Sequence, residues 1–141
     1  NPLTIDEIDK IIFLQQETEM YELIDLMIEG NVKDFINSLN NYNKKINEIT
    51  TTLIITNKIL LQFHKILSDK NGLEFAINSF KPPIYSKRKN KIIKQIQKWN
   101  LYKVEKALIY ISEADFKIRS STKINYKQIF ERTFINIIRL L

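Results

Sequence analysis

Residues 46–68 read INEITTTLIITNKILLQFHKILS and contain neither glycine nor proline. An uninterrupted segment of this length favours a helix, because the residues that break helices are absent. Its apolar side chains cover most of the helical circumference, and a helix that is apolar nearly all round belongs in the centre of a bundle. We therefore predict one long central helix here. Its apolar residues are Ile49, Leu53, Ile54, Ile55, Ile59, Leu60, Phe63, Ile66 and Leu67.

The composition of the whole chain also favours an all-α fold. The chain has 141 residues, of which two are glycine, three are proline and 44% are hydrophobic. So few helix breakers leave long uninterrupted segments, which favours helices over a turn-rich β architecture. The length allows one ordinary domain or two very small ones. We predict an all-α fold, with a small three-helix bundle followed by a larger helical bundle.

Three short amphipathic helices joined by tight turns are predicted at the start of the chain. Thr4 and Glu7 have the spacing of a capping box, which satisfies free backbone amides at a helix start. A second helix is predicted from about Glu19 to Glu29, with Gly30 as its stop. Asn31 is expected to cap the third helix.

A polar segment separates these short helices from the long one. Residues 40–45 contain almost no apolar side chains. We therefore place a domain boundary there, with a small helical domain over 1–44 and a larger all-helical domain over 45–141.

Asn71 and Gly72 are expected to break the chain after the long central helix, and four further helices are predicted after them. Asn100 and Asn125 are expected to cap the last two, since asparagine side chains accept hydrogen bonds from backbone amides at helix starts. Ala107 and Ala114 allow neighbouring helices to approach closely. The predicted ranges are about 73–80, 86–99, 101–119 and 126–141.

Charge is divided unevenly along the chain. Residues 81–106 carry nine basic residues and one acid, and nine minus one gives +8, more than the +6 of the whole chain. The first forty residues carry two lysines and nine acids, which gives −7. This division indicates partners of different charge, and the basic stretch is where an anionic polymer would bind. The basic residues are Lys81, Lys87, Arg88, Lys89, Lys91, Lys94, Lys98, Lys103 and Lys106.

The helix predicted over 86–99 carries four lysines that are four, three and four residues apart. At about 100° per residue they fall within an arc of roughly 60° and form a row about 16 Å long. The row lacks the i,i+4 carboxylates that usually neutralise an exposed helix face. It could therefore span several phosphates of a single strand. We call Lys87, Lys91, Lys94 and Lys98 the lysine row, and we expect Ile92, Ile93, Ile96 and Trp99 to be buried on the opposite half.

Tyr85 precedes this helix in a loop stiffened by two prolines, where a nucleotide base could stack on its ring. Two alternatives stay open at this point. Tyr85 could be a packing residue only, and the lysine row could be a solvated surface that keeps the domain soluble.

The sequence offers little for catalysis or metal binding. There is no cysteine, which excludes disulfides and cysteine-based zinc sites. His64 is the only histidine, so we expect a hydrogen-bonded packing residue rather than a metal ligand. Two glycines cannot form a glycine-rich phosphate loop. The acidic clusters lie at predicted helix starts, where negative side chains interact favourably with the positive end of the helix dipole. We predict no catalytic residue, metal or cofactor.

The compartment and the extent of the chain can also be anticipated. The lack of cysteine fits a reducing compartment, and we expect a cytoplasmic protein. No apolar run approaches the ~18 residues that a membrane span requires, so no membrane partner is expected. The first residues show neither an initiator methionine nor a signal sequence, and we expect the chain to be the later part of a longer protein.

The order of motifs resembles a known family. KPPIYSKRK (81–89) leads into a basic helix that ends at Trp99, and LIYISEADFKIRSST (108–122) and an apolar terminal helix follow. This order resembles the C-terminal part of the delta subunit of the bacterial DNA polymerase III clamp loader. The segment from LTIDEI (3–8) to IEGNV (28–32) is similar to the small helical lid domain that precedes the collar in that family.

The resemblance implies a three-helix lid of an AAA+ protein followed by an all-helical collar, the oligomerisation domain that holds five subunits in a ring. The implied partners are gamma/tau and delta-prime type subunits and primed or single-stranded DNA. The delta subunit lacks ATPase activity and opens the sliding clamp through an N-terminal domain that this sequence does not include. The residues expected to contact template single strand are Tyr85, Lys87, Arg88, Lys91, Lys94 and Lys98.

A second hypothesis needs no clamp loader. The chain could be a stand-alone helical adaptor whose basic helix docks on an acidic protein partner. Binding to such a partner without any loader subunit would distinguish the two hypotheses.

Overall fold

The computed structural model describes residues 2–42, 45–120 and 123–141, except for the side chains at positions 12, 13 and 16. In these residues it contains seven α-helices, one 3-10 turn and no strand, so the predicted all-α fold is confirmed. The helices are α1 (Ile5–Ile28), α2 (Val32–Asn41), α3 (Ile46–Ser68), α4 (Leu73–Asn78), α5 (Ser86–Gln95), α6 (Leu101–Ser120) and α7 (Tyr126–Ile138), and the 3-10 turn is Ile96–Lys98.

The chain forms two compact units, Asn1–Asn43 and Lys44–Leu141. The division lies in the polar segment where the sequence places a boundary. The first unit contains α1 and α2, and the second contains α3 to α7. The identification of these units as a lid and a collar stays a prediction.

The first unit contains two helices, so the prediction of three was wrong. The residues 15–19, QQETE, interrupt the apolar spacing but not the helix, because glutamine and glutamate are good helix formers. No glycine or proline lies between Thr4 and Gly30. A single helix therefore runs from Ile5 to Ile28.

Side chains and one glycine set the ends of α1 and the start of α2, as predicted. The Thr4 hydroxyl accepts a hydrogen bond from the Glu7 amide at 3.1 Å. Gly30 has φ 73°, which allows its amide and that of Asn31 to donate back to the carbonyls of Met27 and Leu26, both at 3.1 Å. This Schellman arrangement satisfies the last carbonyls of the helix. The Asn31 side chain then accepts from the Asp34 amide at 3.3 Å.

The core of the first unit lies between the second half of α1 and α2. Every described side chain from position 5 to position 19 is exposed. None of these described side chains therefore belongs to the core. The buried apolar residues are Met20, Leu23, Ile24, Met27, Ile28, Phe35, Leu39 and Tyr42.

The long helix α3 has the predicted bounds and packs against α4, α6 and α7. One face is buried, and there the hydroxyls of Thr52 and Thr56 donate to backbone carbonyls one turn earlier at 2.6 and 2.7 Å. The other face is not covered. Ile54 is 54% exposed and Leu61 is 52% exposed. The prediction that α3 is buried nearly all round was wrong, because its neighbouring helices cover only one side.

The helices after α3 begin at the expected caps. The side-chain oxygen of Asn100 accepts from the Lys103 amide at 2.8 Å, and that of Asn125 accepts from the Gln128 amide at 3.2 Å. Two ends differ slightly from the predicted ranges, since α4 ends at Asn78 and α7 at Ile138.

Candidate functional site

The basic helix α5 begins directly after Tyr85 and contains four lysines, one arginine and no acid. Tyr85 has extended backbone (φ −59°, ψ 138°), and its carbonyl accepts the first helical hydrogen bond from the Lys89 amide at 3.0 Å. No side chain caps this start. Of the residues in α5, Ile92 and Gln95 are buried. The helix therefore exposes Lys87, Lys91 and Lys94 and is held by a narrow buried seam.

A buried tryptophan ends the basic segment. The α-helix stops at Gln95 and tightens into the 3-10 turn, after which the Trp99 amide donates to the Ile96 carbonyl at 3.0 Å. Trp99 is only 5% exposed, and its ring meets that of Phe63 in α3 edge-on at 5.9 Å. The prediction of a single α-helix over 86–99 was therefore wrong at its end, where the tighter turn brings the indole into the core.

All four members of the lysine row are exposed. Lys87, Lys91 and Lys94 share one side of α5, as their spacing predicts. Lys98 lies on the 3-10 turn, which advances about 120° per residue instead of 100°, so its position is rotated by roughly 60° from the predicted one. At ~1.5 Å per α-helical residue and ~2.0 Å per 3-10 residue, the row extends over roughly 18 Å.

Two of these lysines have no partner within the described part of the protein. Lys87 and Lys94 make no hydrogen bond or ion pair with any described residue, whereas Lys91 and Lys98 each take part in an interaction inside the protein. The ammonium groups of Lys87 and Lys94 are therefore the ones most available to an external anion.

The side of the basic segment 86–99 that lies opposite the lysine row is only partly buried. Ile92, Ile96 and Trp99 are at most 5% exposed, as predicted. Ile93 is 38% exposed, so its predicted burial was wrong. It lies about 100° round the helix from Ile92, beyond the narrow seam that contacts the rest of the unit.

Tyr85 and Arg88, the other two predicted contacts, differ in accessibility. The Tyr85 ring is 65% exposed and is available for stacking. Arg88 is half-buried, and its terminal nitrogen Nη2 is enclosed by the protein, so only part of the guanidinium can meet a ligand. Lys89 is also turned inward, since its ammonium donates to Oδ1 of Asn78 at 3.0 Å and links α5 to α4.

The structure adds one basic residue that was not predicted at this site. The Lys103 ammonium donates to the backbone carbonyl of Lys98 at 3.3 Å, which places a fifth positive charge at the end of the lysine row. Helical spacing could not reveal this proximity, because the two residues lie on either side of the break between the 3-10 turn and α6.

Glu105, the single acid of the basic stretch, interacts with a residue outside the lysine row. Oε1 of Glu105 lies 3.3 Å from Nε2 of His64 in α3, with both side chains partly exposed. The expected hydrogen bond of His64 is confirmed, but its side chain is 39% exposed and is not the packing residue that was predicted.

The positive charges of the exposed side chains are the main chemical feature of this surface. Across positions 2–42, 45–120 and 123–141, no group of three or more histidines or carboxylates is arranged to hold a metal ion. None of the described helices combines the length and the apolarity that a membrane crossing requires. The surface can bind an anion through several ammonium groups and offer an aromatic ring beside them.

Comparison of the chain with protein-family models, with curated proteins and with solved structures gave no match in any of the three. The features of the chain that indicate a function are the lysine row, Tyr85 and the order of motifs along the sequence.

Proposed function

We propose that this chain is a non-catalytic part of a replicative clamp loader, corresponding to the lid and collar of a delta subunit. In this role it joins the loader ring with gamma/tau and delta-prime type subunits. Its basic surface contacts the template single strand while the ring loads the sliding clamp on primed DNA in the cytoplasm. In this role the chain performs no chemical step and needs no cofactor or metal of its own.

The observation that carries the proposal is the exposed lysine row on α5 and the following 3-10 turn. A row of roughly 18 Å matches about five phosphates of a single strand at ~3.4 Å per charge. Lys103 extends the positive charge at one end, and no acid in α5 neutralises it. A ring as exposed as that of Tyr85 suits base stacking, which contributes to single-strand binding without sequence preference. These features favour a nucleic-acid ligand.

The anchoring of the basic segment supports a fixed rather than a loose contact. Trp99 is buried against Phe63, and Lys89 links α5 to α4. A helix held at both ends presents its charges at constant spacing, so less ordering of the protein is required when a strand binds.

The assembly role can be tested by reconstitution. The full 141-residue chain is mixed with purified gamma/tau and delta-prime type subunits from the same organism and separated by size-exclusion chromatography. We expect one complex that contains all three. Separate elution of the chain would contradict the clamp-loader proposal, and capture of an acidic protein by the chain without loader subunits would favour the adaptor hypothesis instead.

The DNA role needs a separate measurement on the assembled complex. Binding to a fluorescent single-stranded oligonucleotide is followed by anisotropy, with the chain unmodified or carrying Lys87→Glu and Lys94→Glu. We expect the charge reversals to weaken binding strongly at low salt and much less at high salt, since the attraction is screened. Equal affinity of the two complexes would remove the DNA role and leave assembly to be judged by co-elution.

A further inference from the structure

The outer side of α6 carries three large apolar side chains that nothing in the described structure covers. Tyr102 is 67% exposed, Ile109 is 52% exposed and Phe116 is 71% exposed. They are seven residues apart, so they fall within about 40° of one another and extend over about 21 Å of the helix. We call these three residues the apolar row of α6. The opposite side of the helix is buried through Val104, Ala107, Ile111 and Ala114.

The apolar row lies on the side of α6 opposite its buried residues, and α6 packs against both α3 and α7. On one flank, Asp115 of α6 and Ile54 of α3 line the same cleft. On the other, Glu113 of α6 and Gln128 of α7 line another. Both neighbouring helices thus occupy the flanks, and the outer side remains free. Large exposed apolar side chains aligned on one side of a helix and bordered by polar residues indicate a protein interaction site.

We propose that the apolar row of α6 binds the same row of a second copy of this chain, with the two α6 helices antiparallel. Lys106 and Glu113 decide the orientation. Each follows a member of the row by four residues, so both lie about 40° to the same side of it. Neither makes a hydrogen bond or ion pair with another described residue.

An antiparallel pair places these opposite charges together. With the two-fold axis level with Ile109, Lys106 of one copy lies within about 1.5 Å of the height of Glu113 of the other, on the same side of the contact. Symmetry repeats this ion pair, so the contact contains two. Tyr102 of each copy lies level with Phe116 of the other, and Ile109 meets Ile109. Aromatic and aliphatic side chains thus fill the centre while the charges border it.

A parallel pair does not form these ion pairs. Its two-fold axis runs along the helices, so the two copies of Lys106 lie at the same height but on opposite sides of the contact, and the same holds for Glu113. Lys106 of one copy and Glu113 of the other are then about 10.5 Å apart along the helices. The Lys106–Glu113 pairs therefore form only in the antiparallel arrangement.

This inference does not depend on the proposed clamp-loader role, since it concerns a face on α6 and not the lysine row on α5. One helix pair buries less surface than the ~1,600 Å² of a standard stable interface. The association is therefore weak and reversible, and it is measured at high protein concentration.

Sedimentation velocity of the full chain over a concentration series tests the association. We expect a monomer–dimer equilibrium that Ile109→Glu abolishes, because it puts two carboxylates at the centre of the contact. Phe75→Glu is the matched control, since Phe75 is 58% exposed on α4 and lies outside the apolar row. Circular dichroism confirms that both variants fold. A chain that stays monomeric at millimolar concentration, or equal dimerisation of the Ile109→Glu variant, would overturn the proposal.

Charge exchange tests the orientation independently of the apolar contact. Lys106→Glu should weaken dimerisation about tenfold, because it replaces two attractive pairs by two repulsive ones. Adding Glu113→Lys in the same chain should restore the original affinity, since the pairs are regenerated with reversed sign. A double variant that dimerises no better than Lys106→Glu alone would refute the antiparallel arrangement.

Cysteine crosslinking supplies a direct readout, because the chain has no cysteine of its own. A mixture of Tyr102→Cys and Phe116→Cys chains should form the mixed disulfide under mild oxidation. Tyr102→Cys alone should not crosslink, since its two copies would lie about 21 Å apart along the helices. Crosslinking of Tyr102→Cys with itself would show a parallel contact and overturn the proposal.

Discussion

The indole ring of Trp99 packs edge-on against the phenyl ring of Phe63, with the ring centres 5.9 Å apart and the planes at 81°. Phe63 is fully buried in α3, whereas Trp99 directly follows the 3-10 turn that carries Lys98. The contact thus joins the end of the lysine row to the interior of the second unit. Edge-to-face aromatic pairs add about 0.5–1.5 kcal/mol beyond the burial of their area.

Removal of the indole should destabilise the second unit. Trp99→Ala deletes a buried aromatic side chain, for which we expect a loss of about 3–5 kcal/mol in the free energy of unfolding. Urea unfolding followed by circular dichroism measures this loss. Trp99→Phe should cost clearly less, since it keeps an aromatic ring in the site. A loss below about 1 kcal/mol for Trp99→Ala would show that the indole is not packed as described.

Two adjacent leucines test how α3 is oriented. Leu60 is fully buried and Leu61 is 52% exposed. We expect Leu60→Ala to destabilise the protein by about 2–5 kcal/mol and Leu61→Ala to change stability by less than about 0.5 kcal/mol. Thermal or urea unfolding of the two variants compares them directly, and each is the control for the other. Equal losses would indicate that α3 is covered on both sides.

Gly72 has a backbone conformation that other residues avoid. Its φ is 95° and its ψ is 172°, and a Cβ added there would meet nothing within 4 Å. Gly72→Ala should therefore destabilise the protein by about 1–3 kcal/mol through backbone strain alone. Asn71→Ala, a neighbouring exposed position, should stay within about 0.5 kcal/mol of the unmodified chain. If both variants unfold at the same urea concentration, the strained conformation is absent in solution.

Neutralisation of two row lysines should change the salt dependence of single-strand binding. Lys87→Gln together with Lys94→Gln removes two charges that have no partner among the described residues. Because each phosphate contact on a single strand contributes about 0.7 to the slope of log K against log salt, we expect the slope to fall by about 1.4. Binding is measured between about 50 and 200 mM salt.

The matched control also removes two positive charges, so its net charge equals that of the Lys87→Gln, Lys94→Gln variant. Lys58→Gln and Lys127→Gln also remove two exposed lysines, but from α3 and α7. Their slope should remain close to that of the unmodified chain. An equal decrease in both double variants would mean that binding follows total charge and not the lysine row.

Local signals predicted the ends of most helices. Thr4, Asn31, Asn100 and Asn125 cap helices where the sequence places them, because a cap depends only on a side chain and the amides two or three residues later. Gly30 ends α1 for a similarly local reason. The missing break in α1 and the early end of α5 were not predicted. In both cases apolar spacing alone misplaces the end of a helix, because polar helix formers can continue a helix and the last turn before a buried tryptophan can tighten.

The sequence by itself determined the all-α class, the bounds of α3 and the side of α5 on which Lys87, Lys91 and Lys94 lie. These follow from helix formers, breakers and the angle per residue, which act over a few neighbouring positions. The tertiary structure alone decided which apolar residues are covered. Ile93 and the apolar row of α6 are as hydrophobic as the core residues, yet they are exposed because burial depends on which helices lie opposite. It also brought Lys103 to the end of the lysine row, since the turn between two helices sets that proximity.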